Sequence, residues 1–461
     1  MSHWSVEEAR ARCAEIDGAT TEIALRSVLA LDDDAVGRTT AVQMNNGLLR
    51  GVPVLVKDNI EADGLPGTAG SLALQGIPVR GDSTVAARLR RAGAVIIGAT
   101  NLSEWANIRS TSSSSGWSAM GGLVANPWSL DRSAGGSSSG SGAAVAAGIV
   151  SMAVGTETDG SITCPASLNG VVGIKPTVGS IPTDGIVPVS GSQDTPGPLA
   201  RSVDDAERML AVLADDGDLL NLSRAIDASS LSIGVVDAWR TGHTATDALF
   251  NEAIKLVQKI SSNTSKSQMI ATPDDVHSDE FTVLVHELRS DLDEYLLSRA
   301  KNGGPSSISA VVQFNRENAD LELKYFGQEI FEMAAECQGR SATEYMQARQ
   351  RNVAWVQQHL FGALAEHDVL ISPAYMPAWK TDFVYGHPSA GGAVTAPAAI
   401  AGLPIVTIPM GLVSGLPVGL SFVGAKNSEA MLISLARSLE NSLGLVHDAM
   451  WQPRFAQTTP V

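Results

Sequence analysis

Histidine is almost missing from the first half of the chain. Of eight histidines, none falls between His3 and His243, so a Ser-His-Asp arrangement has no support there. Cysteine is scarce too. Cys13, Cys164 and Cys337 lie far apart, which fits neither a disulfide framework nor a zinc site, and no metal or cofactor is expected. Aromatics make up 5% of residues and charged residues 18%. Positive charge is in deficit, with 32 Lys and Arg against 49 Asp and Glu and a net charge of −17. Such a surface repels phosphate backbones and anionic membranes, so neither partner is expected. No stretch reads as a spanning helix, and "MSHWSVEEARARCAEIDG" lacks the apolar centre of a secretory signal. The cytoplasm is the expected compartment.

What is present is enough apolar sequence for a sizeable core. Hydrophobic residues are 44% of a 461-residue chain. Ser5 and Glu8 make a capping-box pattern ahead of a first helix. "GVPVLVKD" (51–58) reads as a buried strand ending on a lysine, "STVAARLRRAG" (83–93) as a capped helix, and "AVIIGAT" (94–100) as a second strand. That alternation predicts an α/β layer architecture. From about 206 to 364 the pattern turns helical, as in 279–300 and 319–339, with "LSIGVVDAW" (231–239) as an interrupting strand. Strand signals return at 368–374, 404–411 and 418–424, and a closing helix opens at Ser428 and Glu429. The expected organisation is one domain, with its core at 50–205 and 365–461. Helices at 1–49 precede it, and a helical insertion occupies 206–364.

Two glycine-rich stretches stand apart. "AGGSSSGSGAAVAAG" (134–148) could be a flexible linker, but it is short and runs straight into a helix-prone segment between strand signals. No Gly-Lys-Ser/Thr follows it, so a phosphate loop is disfavoured. "GTETDGSITCPA" (155–166) places Ser161 in a crowded turn, where the consecutive backbone N–H groups of Thr158, Asp159, Gly160 and Ser161 could cradle an oxyanion. Without a nearby histidine, the remaining candidate base is a lysine held neutral by burial. Lys57 at the end of its apolar strand fits, although a strand-end lysine could equally be solvated.

With "PVLVKDNI", "QDTPGPLARSV" and "TAPAAIAGLPIVTIPMG", these blocks resemble the amidase signature family of serine hydrolases. The resemblance implies a three-layer α/β/α fold with a large mixed central sheet. It implies Ser161 as nucleophile, Lys57 as base and Ser137 as the bridging serine, reached through a cis Gly136–Ser137 peptide. Ser138, Ser139 and Ser141 would be hydrogen-bonded loop residues and Lys175 structural. "NIRSTSSSSGWSAMGG" (107–122) would line the acyl side of the cleft, with Ile108 and Trp117 as candidates. Glu157-Thr158-Asp159-Gly160 and Thr163 depart from the commoner family pattern and look most like the bacterial peptide amidases. A peptide carboxamide is therefore the expected substrate. The alternatives are a general amidase for small aliphatic or aryl amides, the glutaminase-type component of an amidotransferase, or a non-catalytic scaffold. All three catalytic candidates are present, which argues against the scaffold.

Overall fold

A computed structural model describes residues 4–18, 20–41, 47–384, 386, 391–445 and 451–459. Its backbone is an eleven-stranded mixed sheet. The strands are β1 (Val28–Leu31), β2 (Pro53–Lys57), β3 (Val95–Thr100), β4 (Met152–Glu157), β5 (Val172–Lys175), β6 (Thr195–Ala200), β7 (Ile233–Val235), β8 (Thr264–Lys266), β9 (Val369–Pro373), β10 (Ile405–Val413) and β11 (Leu416–Gly424). Across the sheet they run β1-β3-β2-β4-β6-β5-β10-β11-β9-β7-β8. β2 pairs in parallel with both β3 and β4, and β7 with both β8 and β9; the other neighbours are antiparallel.

Helices cover both faces. The ones used below are α1 (Val6–Ile16), α2 (Thr84–Arg91), α3 (Ser139–Ala146), α4 (Thr163–Asn169), α5 (Val203–Ala214), α6 (Asp274–Arg299), α7 (Ala319–Glu322), α8 (Glu329–Glu336), α9 (Thr343–Glu366), α10 (Thr395–Ala401) and α11 (Glu429–Leu443). One core cluster packs β2, β4 and β5 against α2, α5 and α11, and another packs α1, α3 and α4 on the opposite side. Because helices cover both faces, all residues of β2, β3 and β4 are buried. Such strands read as continuous apolar runs without alternation. Each fully buried Val, Leu or Ile contributes about 1.5–3 kcal/mol. Among the described residues, no helix is long and apolar enough to cross a membrane.

The Ser5–Glu8 capping box forms as expected. β10 and β11 run longer than their sequence signals and meet at Ser414-Gly415, both at positive φ, the backbone that a two-residue hairpin requires. Three expectations need correction. The first 49 residues contribute β1 to the sheet as well as helices. The 206–364 segment holds the expected strand at 231–239, as β7, and also β8, which was not expected, and both extend the central sheet. β8, "TSK", has no apolar alternation by which it could be recognised.

The expected helix over 319–339 is broken between α7 and α8. Around Gly327 the chain leaves the helix, and Tyr325 and Phe326 turn onto Trp117 with ring centroids 5.6 and 5.1 Å away. Arg109, fully buried, lies 4.4 Å from the Phe326 ring centre. It donates to Glu104 at 2.7 Å and to the Glu322 carbonyl at 2.7 Å, while the Glu322 carboxylate accepts from Ser71 and from the Leu72 amide. One arginine thus ties the insertion to the core. Arg109 also pairs with the Glu322 carboxylate at 3.3 Å, so Arg109→Leu leaves the buried carboxylates of Glu104 and Glu322 without a cation and should cost about 3–5 kcal/mol of stability. Urea unfolding measures this, and a loss under about 1 kcal/mol would show that the arginine is no tether.

Candidate active site

The site begins with a strand that ends on a charge. β2 is apolar until Lys57, and the lysine is 0% exposed, so the solvated strand end is ruled out. The parallel register of β2 on β4, with Val56 opposite Val154, carries Lys57 to the same edge as Thr156. Its Nζ lies 2.8 Å from Thr156 Oγ1, 3.3 Å from the Thr156 carbonyl and 2.8 Å from Ser137 Oγ. Asn59 donates to the same Thr156 hydroxyl at 3.0 Å. Burial lowers the ammonium pKa to about 7, outweighing the opposing pull of Asp194 and Glu157.

Ser137 arrives from the glycine-serine tract, after a cis Gly136–Ser137 peptide. The tract is small because it runs close against neighbouring side chains and backbone. A Cβ on Gly136 would stand 2.2 Å from Ser103 Oγ, and one on Gly140 would stand 2.2 Å from the Ser27 carbonyl. The Ser103 amide also donates to the Ser137 carbonyl at 3.0 Å. Ser138, expected in a loop, is the N-cap residue of α3, and Ser139 and Ser141 lie in its first turn. Their hydroxyls donate to the carbonyls of Thr156, Gly135 and Val154 respectively. A helix this short and glycine-rich has little intrinsic stability; the Ser138 and Ser141 bonds fix it on β4, and the Ser139 bond closes back on its own tract.

The second turn follows β4. Gly160 has φ +78°, the left-handed conformation that favours glycine. The Glu157 carboxylate accepts from the amides of Ile162 at 2.7 Å and Thr163 at 2.8 Å, and the Gly160 carbonyl accepts from the Cys164 amide at 2.7 Å. By contrast, among the described residues the amides of Thr158, Asp159, Gly160 and Ser161 have no protein acceptor. Four consecutive free N–H groups beside a serine suit an anionic oxygen. Ser161 is 8% exposed, and its carbonyl accepts from the Ser138 amide at 3.1 Å. That bond joins the two serine turns directly.

Around these turns stand further polar groups, of which Asp194 lies in the "QDTPGPLARSV" block without a role assigned to it from the sequence. Asp194 accepts from Thr158 Oγ1 at 2.5 Å and from the amides of Val189 and Ser190 at 2.8 and 3.0 Å. Burial raises its pKa, like those of Asp58 and Asp159, to about 6. Lys175 donates to the Leu403 carbonyl at 2.7 Å, bracing the turn ahead of β10, and burial lowers its pKa to about 8. Trp117 is buried, and the neighbouring Gly116 amide donates to Ser103 Oγ at 2.8 Å, the hydroxyl that also faces Gly136. Ile108 packs instead on the helical cluster containing Trp105 and Phe331. Among the described residues, no His, Cys, Asp and Glu group could hold a metal ion.

The buried amine makes stability depend on pH. The unfolded chain holds the Lys57 proton up to the ordinary lysine value of 10.5, and the folded chain only up to about 7. Between these values the unfolded state binds one more proton, so folding stability rises with pH by about 1.4 kcal/mol per pH unit. Lys57→Met lacks this slope. Urea titrations of parent and variant at several alkaline pH values should differ by it, and a pH-independent difference would contradict the buried neutral amine.

The Amidase family model matches residues 5–433. A protein of Arabidopsis thaliana described as a probable amidase is 35% identical, covering 86% of this chain and 77% of its own length. A glutamyl-tRNA(Gln) amidotransferase component of Symbiobacterium thermophilum is 32% identical, covering 93% and 91%. Among solved structures, a peptide amidase in complex with the competitive inhibitor chymostatin superimposes with TM-score 0.87 and 36% identity, covering 95% of this chain and 93% of that one. The native peptide amidase from Stenotrophomonas maltophilia gives TM-score 0.85 and 36% identity, covering 95% and 92%. The chain therefore belongs to the amidase family and is an amide-hydrolysing enzyme.

Proposed function

We propose that this amidase removes the C-terminal carboxamide of peptides through an acyl-enzyme, with Ser161 as nucleophile, Ser137 as proton bridge and Lys57 as base. The observation that carries the reading is the 2.8 Å bond between Lys57 and Ser137 at an amine whose pKa burial lowers to about 7. A charged ammonium could only donate to Ser137, whereas the neutral amine accepts its proton. Ser137 in turn draws the proton of Ser161, whose oxygen attacks the amide carbon. The amides of Thr158, Asp159, Gly160 and Ser161 hold the oxygen that becomes negative. Collapse expels ammonia, which takes the relayed proton, and water then attacks the ester to release the peptide acid.

The peptide-carboxamide substrate is supported by the likeness to two peptide amidase structures at 36% identity and by the Glu-Thr-Asp-Gly approach to Ser161. Glutamine is the second substrate reading, favoured by the 32% identity to the amidotransferase component over nearly its whole length. No cofactor enters either reading, and the enzyme is taken to act on diffusible amides in the cytoplasm, without nucleic-acid or membrane partners.

Lys57→Ala and Ser161→Ala should each lower kcat at least 10³-fold while urea unfolding stays cooperative, and a fluorophosphonate should label Ser161 in the parent. Near-parental turnover in either variant would end its assigned role. In the parent, kcat/KM should rise with pH through about 7 as Lys57 sheds its proton. A profile flat from pH 5 to 9 would exclude that base. Ammonia release from a peptide amide, but not from glutamine, decides between the substrates.

A further inference from the structure

Behind the free amides stands a tyrosine that the reaction above does not use. Tyr375 follows β9, where Gly391 bridges to it and the Gly392 amide donates to the Ala374 carbonyl at 2.9 Å. Its ring is confined between two glycines at positive φ. A Cβ on Gly392 would stand 2.6 Å from Tyr375 Oη and Cζ, and a Cβ on Gly160 would stand 2.6 Å from the same Oη. The phenol therefore rests against the α-carbon of the glycine at the centre of the 158–161 turn.

Thr395, at the start of α10, completes the contact. Its Oγ1 lies 3.6 Å from the Gly160 Cβ position and donates to the Gly392 carbonyl at 2.9 Å. The same residue is a polar neighbour of the Tyr375 phenol and of the Asp159 carboxylate. Side chains from the segment after β9 and from α10 thus pack against the turn at Gly160, beside the four amides that lack acceptors.

We propose that Tyr375, acting with Thr395, is a positioning residue that holds the amides of residues 158–161 in the orientation that receives the tetrahedral oxyanion. The assignment rests on the reading of that turn as the oxyanion site. A planar amide carbonyl gains little from perfect amide alignment, whereas the tetrahedral oxygen depends on it. Loosening the turn therefore acts on kcat and spares KM.

Steady-state kinetics with a peptide amide tests this in Tyr375→Phe, which keeps the ring between the glycines. Its kcat should fall about 10- to 100-fold, less than the 10²–10³ typical of deleting a donor outright, with KM within about twofold. Inhibition by a peptide aldehyde, whose adduct with Ser161 is tetrahedral, should weaken by the same factor as kcat. Thr395→Val should repeat the loss and Thr395→Ser should restore activity. The Tyr375→Phe/Thr395→Val double variant should lose no more than the worse single one, since both loosen the same contact on Gly160. The proposal is overturned if Tyr375→Phe keeps kcat within twofold, if the loss appears in KM, or if Thr395→Ser is as impaired as Thr395→Val. Fluorophosphonate labelling of the parent is the separate check on the site. If Ser161 is not labelled the reading of the site fails, whereas a labelled parent with an unimpaired Tyr375→Phe refutes the positioning role alone.

Discussion

The structure depends on a lysine that is buried among hydroxyls and carbonyls. Lys57 has Thr156 and Ser137 at hydrogen-bond distance and enters no ion pair among the described residues. Removing an ammonium from water without a counter-ion disfavours its charged form, and here that produces an amine near neutrality in its proton affinity. A carboxylate at hydrogen-bond distance would have made a stable ion pair and a useless base. The dry surroundings come from the sheet, because β2 is flanked on both edges by β3 and β4 and covered on both faces by helices.

That placement limits what can approach the amine. The parallel β2–β4 pair brings Thr156 alongside, but Ser137 belongs to a separate turn that has to pass between strands and the 101–103 segment. Only a chain without bulk can do so. The close approaches are to the Ser103 hydroxyl at Gly136 and to the Ser27 and Asn101 backbone at Gly140, so the low complexity of 134–142 records tight packing. The hydroxyls of Ser138, Ser139 and Ser141 then supply bonds that apolar side chains would supply in an ordinary helix contact. This is why a tract with the composition of a flexible linker is among the most buried parts of the chain.

Much of this was legible from the residues, for identifiable reasons. Strands buried on both faces announce themselves as apolar runs, so β2, β3 and β9 to β11 could be read directly, as could the caps of α1 and α2. Short elements without a pattern could not: β8 has polar residues only, and the break at 323–328 sets Phe326 against Arg109 and Trp117, contacts with a segment distant in sequence. At the site, Lys57, Ser137 and the 158–161 turn stood out through their glycine-rich context and family resemblance. Thr156, Asp194 and Thr395 lie inside the quoted blocks and Tyr375 outside them, but none was singled out, because their contacts are with segments distant in sequence or with another strand. Trp117 lies near the serine tract, whereas Ile108 belongs to the helical cluster.

The buried carboxylates around the amine raise a further question, since each negative charge favours protonated Lys57. Asp194 and Glu157 are the two whose fields reach it. Neither points a free oxygen at the amine. Asp194 is engaged by Thr158, Val189 and Ser190, and Glu157 by Ile162 and Thr163. Four of those five contacts are backbone amides, which offset negative charge with fixed dipoles and bring no cation into the site. The same bonds shape the turn, because amides 162 and 163 are occupied by Glu157 while amides 158 to 161 stay open. One set of hydrogen bonds thus holds both carboxylates near Lys57 without a cation and leaves the 158–161 donors free. In the proposed mechanism, base strength and oxyanion geometry would therefore be coupled through Glu157 and Asp194.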